Sequence, residues 1–285
     1  MKIESILVIG AGIMGHGIAQ VLAQAGHTVH LHDISEDLIR KGLKGIDGGL
    51  ERLVKKEKMT ADQKAAVMGR IHAAPSIEDA AKQCNLAIEA ATENLVIKKQ
   101  IFQRLDAAFA PDAILATNTS SLSVTEIAAA TKRASKVIGM HFFNPVPVMR
   151  LIEIVRGLAT DDETHDAIFE MSKAIGKDPV TVQDYPGFVS NRVLMIMINE
   201  AIFCLYEGVA SPADIDTVMK LGMAHPMGPL ALADLIGLDT CLAIMNRLFT
   251  GFADPKFRPC PLLVNMVAAG KLGRKTGEGF FRYEG

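Results

Sequence analysis

Ile6-Leu7-Val8-Ile9-Gly10-Ala11-Gly12-Ile13-Met14-Gly15 is the stretch on which the fold turns. Four apolar residues in a row read as a buried strand, and the pattern from Met14 to Ala25, closed by Gly26, reads as a helix. The turn between them is G-x-G-x-x-G, which carries weight only in this strand–turn–helix setting. The first glycine permits the tight turn, the second lets the backbone approach a pyrophosphate, and the third lets helix and strand pack closely. The helix then points its unpaired N–H groups and positive dipole end at the phosphates.

Outward from this motif the alternation continues. Thr28 to Leu31 reads as a second strand, ending at Asp33. A carboxylate there, about 20 residues past the glycines, accepts hydrogen bonds from the ribose hydroxyls of an adenosine and repels a 2′-phosphate, which favours NAD over NADP. A charged helix follows over 35–58, and a second helix over 61–71 opens at Thr60 as its cap. Strands are expected at 86–90, 114–117 and 137–140, with a helix over 96–108 between the first two. Leu151–Val155 and Pro179–Val182 are candidates to extend the sheet on one side. This alternation predicts a mostly parallel, doubly wound sheet. After Asp184-Tyr185-Pro186-Gly187 only helical periodicity is found. The expected fold is therefore α/β, with an N-terminal Rossmann-type domain over 1–185 and a C-terminal all-α domain over 186–285. The first helix of the second domain, 188–206, is apolar on nearly all sides. It is expected to be enclosed all round, which in a small helical domain calls for a second subunit and so for a homodimer.

Composition narrows the function. Of 285 residues 49% are hydrophobic and 22% charged, as in a globular protein, and the net charge of -2 offers no general attraction to nucleic acid or a membrane surface. The start, Met1-Lys2-Ile3-Glu4-Ser5, runs at once into the first strand and leaves no room for a signal or transit peptide. No apolar stretch is long and unbroken enough for a spanning helix. Cys84, Cys204, Cys241 and Cys260 form no C-x-x-C pair and no metal-ligand spacing, which fits buried free thiols in the cytoplasm and no metal site.

A base for a hydroxyl proton is offered by His141, in His141-Phe142-Phe143-Asn144-Pro145-Val146-Pro147. It is expected just past a strand, at the carboxyl edge of the sheet where ligands bind. Glu153 lies in the next apolar run. A loop pinned by Pro145 and Pro147 would set the two runs side by side, with the carboxylate holding the imidazole's other nitrogen. Spacing alone leaves open a structural histidine and a solvent-facing glutamate. Thr117-Asn118-Thr119-Ser120-Ser121 follows another strand. It would bind ribose or substrate oxygens, or lead into a helix capped by Ser121 or Ser123; the pattern does not choose.

Taken together, Gly10 to Gly17, Asn118-Thr119-Ser120-Ser121-Leu122, His141 to Met149, Pro186-Gly187-Phe188 with Asn191-Arg192, His225-Pro226-Met227-Gly228-Pro229 and Gly273-Arg274-Lys275-Thr276-Gly277 resemble the short-chain L-3-hydroxyacyl-CoA dehydrogenases over essentially the whole chain. Among these, the resemblance is to the bacterial members acting on 3-hydroxybutyryl-CoA. It implies NAD-dependent interconversion of a (S)-3-hydroxyacyl-CoA and its 3-oxo form, as in β-oxidation or butanoate metabolism. It implies His141 as acid and base, Glu153 as its orienting partner, and Ser120 and Asn191 as hydrogen-bond partners of the substrate oxygens, Asn191 at a seam between the domains. For NAD it implies Gly10, Gly12, Ile13, Met14, Gly15, Asp33, Glu93, Lys98, Asn118, Ser120, Asn144 and Lys275. For the anionic acyl-CoA thioester it implies Arg52 and Lys56, which otherwise read as part of a solvated face. A lysine-dependent hydroxyacid dehydrogenase is disfavoured, because Asn191 and Arg192 stand where its lysine is needed. A catalytically retired NAD-binding structural or regulatory protein is the alternative of another class, and the complete set Ser120, His141, Glu153 and Asn191 argues against it.

Overall fold

Strand β1 (Ser5–Ile9) is covered on both faces: Ile6, Leu7 and Val8 have no exposed surface. That is the burial of a central parallel strand, each such side chain contributing about 1.5–3 kcal/mol. The computed structural model describes residues 3–283; Met1 and Lys2, and Glu284 and Gly285 at the other end, lie outside the described residues. Two compact units are found, Met1–Asp184 and Tyr185–Gly285.

In the first unit the elements follow in the order β1, α1 (Ile13–Gln24), β2 (Thr28–His32), α2 (Glu36–Lys55), α3 (Ala61–Met68), β3 (Ile71–Ala73), α4 (Ile77–Ala81), β4 (Leu86–Glu89), α5 (Leu95–Ala108), β5 (Ile114–Thr117), α6 (Val124–Ala128), β6 (Val137–Phe142), β7 (Leu151–Arg156), α7 (Asp162–Ala174) and β8 (Asp178–Gln183). Local chemistry sets several boundaries. The Ser35 side chain accepts from Leu38 N–H to open α2. Thr60 and Gln63 form a reciprocal capping box at α3, and Asn94 accepts from Val96 and Ile97 N–H to open α5.

Among the described residues the sheet has eight strands in the order β3-β2-β1-β4-β5-β6-β7-β8. It is parallel through β6; β7 runs antiparallel to β6, and β8 runs parallel to β7. The sheet is thus mostly parallel and doubly wound, and 151–156 and 178–183 extend it on one side. From β1 the chain crosses one way to β2 and β3, while β4 lies on its other side. The crevice beyond β1 and β4 is therefore the topological switch point at which such sheets bind ligands.

Two expectations are corrected in this unit. The helix at Thr60 does not run to Ile71: Gly69 caps it, and Ile71 opens the short edge strand β3, paired with Val29. Three residues are too few to show an alternating pattern. His141 is not past a strand but within β6, because pairing with β7 carries that strand on to Phe142.

The second unit contains α8 (Ser190–Tyr206), α9 (Pro212–Gly222), α10 (Pro229–Ile236), α11 (Leu238–Phe252) and α12 (Pro261–Ala268), packed around Met195, Ile202, Leu230, Leu238 and Leu248. Asp234 holds the chain's last turns, accepting from Phe280 N–H, Phe281 N–H and the Tyr283 hydroxyl. Within the single chain, the helix expected over 188–206 is enclosed on one side. Met195, Ile198, Ala201 and Ile202 are buried on one side of α8, whereas Val193 is 65% exposed. The short helices around α8 cover only part of its circumference. Among the described residues no single helix is long and apolar enough to cross a membrane.

Candidate active site

The glycine turn is built around contacts that exclude side chains. Gly10 has φ of +96°, and a Cβ there would lie 2.5 Å from Ala90 O. A Cβ on Gly15 would lie 1.7 Å from Gly10 O, so the third glycine lets α1 close on the turn. A Cβ on Gly12 would meet nothing within 4 Å. Gly12 is the N-cap of α1, its end is not capped by a side chain, and no acid stands in the first turn. Open space in front of an uncapped helix N-terminus is what a pyrophosphate requires, so these residues fit the dinucleotide. Asp33 braces the turn: Oδ2 accepts from Ala11 N–H at 2.7 Å and Oδ1 from Ile34 N–H at 2.7 Å. Each oxygen keeps acceptor capacity for ribose hydroxyls.

At the carboxyl end of β5 and β6 the polar residues converge. His141 and Glu153 stand opposite one another in the β6–β7 ladder, and His141 Nδ1 lies 2.7 Å from Glu153 Oε2. Both are buried, and Phe143 packs against the imidazole with ring centroids 4.6 Å apart. A carboxylate on Nδ1 holds the proton on that nitrogen and turns Nε2 into the ring's acceptor. Asn118, just past β5, ties β4 to β6: its N–H donates to Glu89 O, and its Oδ1 accepts from Phe142 N–H at 2.8 Å. Ser123, not Ser121, caps α6, accepting from Glu126 N–H and donating to Asp184.

Glu93 gathers the serine loop. Its Oε1 accepts from the Thr119 hydroxyl at 2.6 Å, from Ser120 N–H at 3.0 Å and from Ser121 N–H at 3.2 Å. Lys98 lies behind it, fully buried, with Nζ 2.7 and 2.8 Å from the two oxygens of the fully buried Glu89.

Arg52 and Lys56 line a cavity of about 470 Å³ together with Asn144, Pro145, His16 and Gln20. The charged face of α2 thus meets the loop that follows His141. His16 and Gln20 were not singled out in the sequence. Their signal is a polar residue every fourth position, His16, Gln20, Gln24, along an otherwise apolar helix. Lys177 was also missed; its ammonium donates to Val146 O and Met149 O and pins the same loop. In the second unit, Asn191 lies in the first turn of α8, its N–H donating to Gly187 O. Lys275 forms an ion pair with Asp239 at the start of α11 and lowers that carboxyl below its ordinary range.

A doubly wound sheet with a phosphate-fitted glycine turn and a His–Glu pair at its carboxyl edge defines a dinucleotide-binding oxidoreductase. Family models agree over nearly the whole chain. Residues 5–185 match the NAD binding domain of 3-hydroxyacyl-CoA dehydrogenase, and residues 187–283 match its C-terminal domain. The chain belongs to the 3-hydroxyacyl-CoA dehydrogenase family. It is 54% identical over 284 residues to the probable 3-hydroxybutyryl-CoA dehydrogenase of Bacillus subtilis (strain 168), covering 100% of this chain and 99% of the relative. It is 43% identical over 289 residues to the human mitochondrial hydroxyacyl-coenzyme A dehydrogenase, covering 99% and 92%. The crystal structure of (S)-3-hydroxybutyryl-CoA dehydrogenase from Ralstonia eutropha superposes with a TM-score of 0.98 at 52% identity, covering 100% of both chains.

Proposed function

We propose that this protein interconverts (S)-3-hydroxyacyl-CoA and 3-oxoacyl-CoA with NAD, and that 3-hydroxybutanoyl-CoA is its main substrate. The observation that carries the mechanism is the 2.7 Å contact between His141 Nδ1 and Glu153 Oε2. In oxidation the C3 hydroxyl gives its proton to His141 Nε2, and the imidazolium so formed is stabilised by Glu153 and later releases the proton to solvent. Bound NAD supplies the acceptor for the hydride that leaves C3. Ser120 and Asn191 hydrogen-bond the substrate's oxygens and orient C3. Reduction runs the same steps backwards, with His141 as the acid.

The open face at Gly12, the carboxylate of Asp33, and Asn144, Glu93 and Lys275 belong to the same reading as the NAD site, with NAD preferred over NADP because Asp33 repels a 2′-phosphate. Arg52 and Lys56 receive the anionic CoA. The apolar, partly exposed α8 favours a homodimer in which a second copy covers Val193. Four free thiols and bacterial relatives support a cytoplasmic setting.

Steady-state oxidation of NADH and of NADPH with acetoacetyl-CoA tests the proposal. Fast turnover with NADH, lowered by about 10²–10⁴-fold in His141→Ala, is expected. Turnover only with NADPH would overturn the reading of Asp33, and no turnover with either cofactor would overturn the substrate assignment.

A further inference from the structure

Ser120 lies in a loop, 118–123, that no helix or strand holds. At the centre of the loop, one oxygen from outside collects the donors. Besides the three donors above, the hydroxyls of Ser120 and Ser121 lie 3.4 and 3.2 Å from the same Glu93 Oε1. An oxygen surrounded by five donors works as an anchor only if its carboxylate is ionised and cannot swing.

The other oxygen of Glu93 meets Lys98 Nζ at 3.5 Å. Lys98 has no freedom of its own, being held bidentately by Glu89. Glu89 is in turn fixed to the sheet, accepting from the Thr117 hydroxyl at 2.7 Å and from Ala91 N–H at 2.7 Å. Thr117 ends β5, and Ala91 follows β4. A fully buried ion pair contributes little net stability compared with apolar groups of the same volume. Stability alone is thus a weak reason for placing two charges beneath this loop.

We propose that Glu89 is a positioning residue for the dehydrogenase reaction: through Lys98 it fixes the Glu93 carboxylate, and Glu93 fixes the loop that presents Ser120. The proposal rests on the assignment of Ser120 to the substrate given above. Lys98, which the family resemblance also places at NAD, is held here by the protein's own carboxylates. Among the described residues the charged groups around Glu93 are Lys98 directly and Glu89 behind it. Burial works to raise the Glu93 carboxyl, and Lys98 with the loop's hydroxyls and N–H groups overturns this, holding it below its ordinary range.

The test uses the full chain and two variants, Glu89→Gln and the double variant Glu89→Gln/Lys98→Met, which removes both buried charges. The double variant is expected to melt close to the parent. Its kcat with acetoacetyl-CoA is expected to fall about 10- to 100-fold, as for a misplaced contact. Without Lys98 the Glu93 carboxyl loses one of the groups that hold it down, so the acid limb of the kcat–pH profile moves to higher pH. Parental kcat and an unshifted acid limb in the double variant would overturn the proposal. So would a raised KM for NADH at unchanged kcat, which would confine the effect to cofactor binding. A double variant that cannot fold would overturn it too, by making the two buried charges a requirement of folding. A parent chain without turnover would count against the substrate reading instead, and is measured first.

Discussion

The carboxylate of Asp33 accepts a 2.7 Å hydrogen bond from Ala11 N–H, so the residue that closes β2 also braces the glycine turn after β1. One side chain thereby serves both the shape of the turn and the ribose. In Asp33→Ala, kcat/KM for NADH is expected to fall roughly 10- to 100-fold, the equivalent of about 1.5–3 kcal/mol for hydrogen bonds to a charged group. The NADPH/NADH ratio is expected to rise. Steady-state kinetics with both cofactors checks this, and an unchanged ratio would count against the ribose role.

Gly12 and Gly15 separate binding from folding. A methyl group at Gly12 touches no protein atom, whereas one at Gly15 runs into Gly10 O. Gly12→Ala is expected to keep the parental melting temperature and lose NADH affinity. Gly15→Ala is expected to lose both. Calorimetry alongside NADH fluorescence titration distinguishes them.

His141→Ala removes the base and is expected to lower kcat by about 10²–10⁴-fold while NADH binding persists. Glu153→Gln keeps the shape of the pair and removes the charge that steadies the imidazolium, so kcat is expected to fall with little change in KM. Full activity in Glu153→Gln would sink the acid–base assignment.

Arg52→Glu and Lys56→Glu reverse charge in the cavity beside Asn144. Both are expected to raise KM for acetoacetyl-CoA, and to weaken its salt dependence, without altering kcat. The check is kinetics across a salt series.

Asp106 holds Arg133 at the end of α5, with its Oδ1 2.7 Å from Arg133 Nε. Burial pushes its carboxyl up, but Lys132 N–H and Arg133 prevail and hold it below its ordinary value of 3.8. A carboxyl lowered on folding contributes stability above that ordinary value and loses it as pH falls through the folded one. Asp106→Asn is therefore expected to melt lower at neutral pH and to show a shallower decline between about pH 4 and pH 2. Melting curves across that range test it.

The α/β architecture is legible because Ile6–Ile9 and Leu86–Ile88 are continuous apolar runs and the glycine turn leaves few alternatives. β3 is not, being too short to show a period. The His141–Glu153 contact was open in the sequence, since it depends on an antiparallel register that no local pattern encodes. Glu89 and Lys98 read locally as a strand end and a helix face; that they meet is a property of the β4–α5 crossover. Asn191, Lys275 and Arg52 stood out only through the family resemblance, because a polar residue in a first turn or on a surface has many ordinary uses.

The antiparallel arrival of β7 has a consequence for how this protein can change. Glu153 faces His141 only in the present alignment; a slip of one position would bring Ile152 or Ile154 opposite the imidazole and turn the carboxylate to the other face. The register of the strand pair therefore acts as an alignment gauge for proton transfer. The fully buried Ile152 and Ile154, which touch no reactant, guard the chemistry by holding that gauge. Substitutions that loosen their packing should cost turnover before they cost the fold, so the apolar residues of β7 are answerable to catalysis as much as to stability.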